Sequence, residues 1–85
     1  MDKKEKYINF IIEDLVSKTE IDYEQGKIKF PFFPLSFPLY YSPLLFPSFS
    51  SFSNYIKEKY GAHSEEIEII WKLYKERIKD KINNG

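Results

Sequence analysis

FPFFPLSFPLYYSPLLFPSFSSF, residues Phe30 to Phe52, decides how the rest of the chain must be read. It lies in a block of 27 uncharged residues between Lys29 and Lys57. That block holds all five prolines, Pro31, Pro34, Pro38, Pro43 and Pro47, and ten of the 16 aromatic residues. Its length would let a helix cross a bilayer. Five prolines argue against that, because each removes a backbone donor and costs roughly 3 kcal/mol inside a helix. The run also starts too late, and lacks the small-residue end, for a signal peptide. Phe, Tyr and Leu suit a membrane surface, but irregular backbone is poorly tolerated in hydrocarbon, and no basic cluster flanks the run. Pro31-Phe32-Phe33-Pro34 fits the P-x-x-P pattern of ligands for aromatic grooves, yet a Phe pair between the prolines tends to bury itself.

The remaining reading is an ordered, extended arm over about 30–49 that lays its aromatics across helices. Proline lowers the entropy lost on ordering, and each fully covered Phe or Leu gains roughly 1.5–3 kcal/mol. Three short amphipathic elements cannot cover so many rings as well as their own stripes. The excess forms an apolar contact surface, assigned to Phe32, Phe33, Phe37, Tyr40, Tyr41 and Phe46.

Upstream, Thr19, Ile21 and Tyr23 alternate with acidic residues, and Lys27-Ile28-Lys29-Phe30 alternates again after Gln25-Gly26. Such patterning around a glycine fits a β-hairpin over 19–30, or an extended arm with one tight turn. Further upstream, Ile8, Ile11, Ile12, Leu15 and Val16 recur at helical spacing, with Glu5 in the first turn and Asp2 placed to cap it. They predict a helix over 3–18 whose stripe must pack on something, since so short a helix is marginal alone.

Downstream, Phe49, Phe52, Tyr55, Ile56 and Tyr60 predict a helix over 50–60 that Gly61 ends. Ile67, Ile70, Trp71, Tyr74, Ile78 and Ile82 predict a longer one over 64–82. Ser64 is read as its N-cap, Glu65 and Glu66 suit its positive end, and Lys79 and Lys81 its negative end. Trp71 and Tyr74 are the anchors of this helical hairpin. Ile69 and Leu73 fall on a second face, open to another element or to a partner. The fold class is therefore mainly α: an N-terminal helix, a possible small hairpin, the arm and a C-terminal helical hairpin, in one small domain of 85 residues.

The 13 basic and 13 acidic residues cancel, which disfavours binding by bulk positive charge. Without cysteine there is no disulfide and no thiolate metal site. The one histidine, His63, lies between the two C-terminal helices with no nucleophile to pair with beyond Ser64, which a helix start explains. Glu65, Glu66 and Glu68 suit the helix dipole, and the three glycines are isolated, so no phosphate loop is present. Neither an enzyme nor a bound cofactor or metal is expected. Tyr55 to Tyr74 has the layout of a helix-turn-helix, but the first turn of its second helix presents glutamates where phosphates would sit. The sequence favours a protein partner or self-association over nucleic acid and over a membrane.

Tyr60-Gly61, Glu65-Glu66-Ile67, Ile70-Trp71, Tyr74 and Ile78, preceded by a Pro- and Phe-rich run, resemble the C-terminal pattern of small proteins of large tailed phages of marine cyanobacteria. His63 departs from the polar turn residue of that pattern. The resemblance implies a phage-type origin and the host cytoplasm as compartment, and carries no functional residue. Twelve Lys against one Arg, and eleven Ile against one Ala, accord with an AT-rich genome.

Overall fold

A computed structural model describes residues 3–39 and 48–84. Helix α1 is Lys3–Lys18, and Ile8, Ile11, Ile12 and Leu15 are its buried stripe. Strands β1 (Glu20–Asp22) and β2 (Lys27–Lys29) follow, then β3 (Phe37–Pro38). Helix α2 is Phe49–Tyr60 and helix α3 is Ser64–Asn84.

The three strands form an antiparallel sheet in the order β1-β2-β3. Ile21 stands opposite Ile28, and the outward pairs are Glu20 with Lys29 and Asp22 with Lys27. Each acid thus faces a base, an arrangement that favours this register over a slipped one. The turn is closed by Asp22, whose Oδ1 accepts the Gln25 N–H at 3.0 Å, and by Gly26 at φ 66°. A hairpin, rather than a bent arm, therefore fills 19–30.

The described part of the arm, residues 30–39, turns back where an extended course is expected. Phe33 N–H closes a turn onto the Phe30 carbonyl at 3.3 Å. The chain then returns, and Phe37 stands opposite Ile28 as the third strand. Leu39 N–H donates to the Gly26 carbonyl at 2.7 Å, which carries the pairing past Pro38. Pro38 is tolerated because β3 is an edge strand, where a missing donor breaks no inner ladder.

Helices α1 and α3 run in the same direction. Ile8 lies beside Ile69 and Leu73, Glu13 meets Arg77 at 2.6 Å, and Val16 meets Lys81. Helix α2 runs back between them in sequence and pins α1 through Tyr60. Ser48 caps α2 by accepting the Ser51 N–H, and Gly61 ends it at φ 67° with its N–H on the Lys57 carbonyl. The expected cap of α3 needs correction. His63, not Ser64, holds that place: its carbonyl accepts the Ile67 N–H at 2.9 Å, and its own N–H donates to Glu66 Oε1 at 3.0 Å. Glu66 sits three residues beyond the cap and reaches back, one half of a capping box, so Ser64 becomes the first helical residue. The expected Asp2 cap of α1 lies outside the described residues.

Tyr74, Phe30 and Phe52 are the largest fully buried side chains. Phe52 stacks on Tyr74 at 5.9 Å between ring centres and packs against Trp71 at 4.6 Å. Helix pair, sheet and arm therefore share one aromatic core. Tyr74 anchors it fully buried, and Trp71 is partly covered.

Candidate interaction surface

The residues assigned to a contact surface divide on the structure. Phe32 is only 8% exposed and belongs to the core. Its ring meets Phe30 at 5.3 Å and Phe52 at 5.1 Å. This corrects its assignment as a contact residue: the turn closed by Phe33 N–H on the Phe30 carbonyl folds the Phe32 ring back onto Phe30 and into the core. Phe33 and Phe37 are half-buried and lean on each other at 5.2 Å. Tyr40, Tyr41 and Phe46 lie outside the described residues.

Between Phe33 and Phe37 the turn presents Leu35 to solvent, 66% exposed. Next to it opens a recess of about 520 Å³. Phe30, Pro31, Phe32, Phe33, Pro34 and Tyr55 line it together with Lys18, Glu20 and Lys29. Leu35 escaped the sequence reading, because an unbroken apolar run gives no period that separates inside from outside, and Tyr55 was read only as part of the α2 stripe. A second groove lies between α1 and α3 along Ile8, Ile69 and Leu73, with Lys4 and Glu5 beside it. Ile69 is 43% exposed there, while Leu73 of the same face packs against the core.

The polar groups near these features are engaged in holding helices together. Tyr7 donates its hydroxyl to the Tyr60 carbonyl, and Tyr60 donates its own to Asp14. Lys18 Nζ reaches the same carboxylate at 2.9 Å. The Tyr60 hydroxyl and Lys18 hold the Asp14 carboxyl below its usual pKa. Burial, and then the hydrogen bond to Asp14, push the Tyr60 phenol up. Deeper in, Thr19 Oγ1 donates to the Leu15 carbonyl at 2.8 Å and lies 2.6 Å from the Tyr74 hydroxyl. Burial raises the Tyr74 phenol as well.

Among the described residues, no helix is long and apolar enough to cross a membrane, and no group of His, Cys, Asp or Glu is placed to hold a metal ion. No protein-family profile, curated protein or solved structure matches this chain.

Proposed function

We propose that the chain is a small non-enzymatic interaction protein, an adaptor or accessory factor, that docks on a protein through its proline-aromatic segment. The observation that carries this reading is the turn from Phe33 to Phe37. It holds Leu35 out in water beside an open, aromatic-walled recess. A leucine fixed in solvent on a proline-braced turn loses little entropy when a partner covers it, and exposed apolar groups next to a concavity favour contact. Polar groups here have structural work: the His63 backbone caps α3, Asp14 ties α1 to α2, and Tyr74 closes on Thr19. Groove reading of nucleic acid by the α2–α3 pair is disfavoured, because the first turn of α3 carries Glu65 and Glu66. From the phage resemblance we infer the host cytoplasm as the place of action.

A photo-crosslinking residue at Leu35 tests this without disturbing the core. The expected result is a discrete adduct with a partner, or with a second copy, that the same probe at Glu76 does not give. A clean monomer in analytical ultracentrifugation together with no adduct at Leu35 overturns the reading.

A further inference from the structure

We propose that the recess beside Pro31–Pro34 is filled by Leu35 of a second copy of this chain, each copy seating the other's leucine about a two-fold axis. The proposal rests on the interaction reading above and adds the partner's identity. Knob and hole lie side by side on one surface. Leu35 is 66% exposed, and Pro34, its neighbour in sequence, lines the recess. A face that carries both halves of a contact is complementary to itself, and a two-fold rotation brings each half onto the other. Both halves are held in place before they meet. Phe30 and Phe32, which line the recess, are core residues. Pro34 fixes φ just before Leu35, and the pairing of Phe37 with Ile28 fixes the chain just after it.

Charge agrees with this occupant. The seat is close to neutral: Asp14 holds Lys18 at 2.9 Å, and Glu20 stands opposite Lys29 in the sheet. An acidic or basic side chain entering it finds no partner to spare, whereas an uncharged one gives up nothing to the rim. The segment that bears Leu35 is uncharged from Phe30 to Phe52. The chain carries 13 basic and 13 acidic residues, so two copies approach without net repulsion. At about 520 Å³ the recess admits a leucine side chain with the edge of the turn that bears it.

The test combines sedimentation equilibrium of the intact chain with NMR of a mixture of carbon-13-labelled and unlabelled chains. A contact this small gives a weak dimer, with Kd on the order of 0.1–1 mM. Sedimentation should therefore show concentration-dependent association. NOEs filtered for contacts between copies should run from the Leu35 methyls to the Phe33 and Tyr55 rings. Leu35→Ser, whose spectrum reports folding directly, should weaken association on the order of 100-fold, because two leucines lose their cover. A dimer that Leu35→Ser leaves intact, or whose contacts between copies avoid the recess, overturns the proposal. A chain that stays monomeric overturns it as well. An adduct of the Leu35 crosslinker with a different protein then leaves the interaction reading standing.

Discussion

Helices α1 and α2 end by different means. Helix α2 stops on its own residue: Gly61 takes the left-handed conformation and returns its N–H to Lys57, four residues back. Helix α1 closes locally through Thr19 N–H on the Val16 carbonyl at 3.2 Å, and adds groups from α3. Lys81 of α3 donates to the Val16 carbonyl at 3.2 Å and lies 3.4 Å from the Thr19 carbonyl. Thr19, the one buried polar residue among those described, meets Tyr74 across 55 positions. The local end needs one residue with a particular backbone freedom. The remote end needs the tertiary fold, and in return it ties α1 to α3. One device stops a helix; the other stops a helix and positions it.

The largest effect is expected where the remote end is buried. Thr19→Val removes the hydroxyl that bridges Tyr74 and the Leu15 carbonyl in the core and should cost about 2 kcal/mol, measured by chemical denaturation. Tyr74→Phe should cost less, because Thr19 keeps the Leu15 carbonyl, and the double variant should cost less than the sum. Full additivity of the two would dissolve the pairing on which the comparison rests.

At the local end, Gly61→Ala should cost about 1 kcal/mol through its positive φ. Nothing lies within 4 Å of an added Cβ, so the loss is conformational, and Gly61→Asn should recover part of it. Combined with Thr19→Val, it should add, since the two ends share no partner. Lys81→Met, which keeps the stem and removes the charge, should cost about 0.5 kcal/mol. Its effect on the melting temperature should shrink as salt rises.

The smallest effect concerns Asp14, part of the junction between α1 and α2. Its folded pKa is lowered by the Tyr60 hydroxyl and by Lys18. A lowered carboxyl stabilises the fold above its unfolded pKa, about 3.9. That contribution is lost as pH falls through the folded value. The stability gap between wild type and Asp14→Asn should therefore be open at pH 7 and should narrow on the acid side of roughly pH 4. A gap unchanged at roughly pH 2.5 would show that Asp14 acts through packing instead of charge.

The same contrast explains which parts of the molecule were legible in the sequence. Helix stripes, the Gly61 stop and the Gly26 turn are local signals, and each helix appears within a residue or two of its expected bounds. Strand β3 is not local. Phe37-Pro38 is two residues long, contains a proline, and exists only because Ile28 and Gly26 offer it a ladder. The His63 cap was hidden by Ser64, a better capping residue one place too late. In the contact segment, the excess of rings was legible but its partition was not: Phe32 points inward with Phe30, while Leu35 stays out. The lysines around the recess come from α1 and β2, so no linear motif announces them.

The shared direction of α1 and α3 has a consequence for the order of assembly. The bond from Lys81 to Val16 spans 65 positions. During synthesis α1 therefore leaves the ribosome with its apolar stripe bare, because α3 is made after the other described elements. Closure of this fold is a late event dominated by distant contacts, which slow folding relative to a bundle of neighbours. A nascent chain stalled within α3 would display the surface that the finished protein hides, and would be the form that chaperones meet.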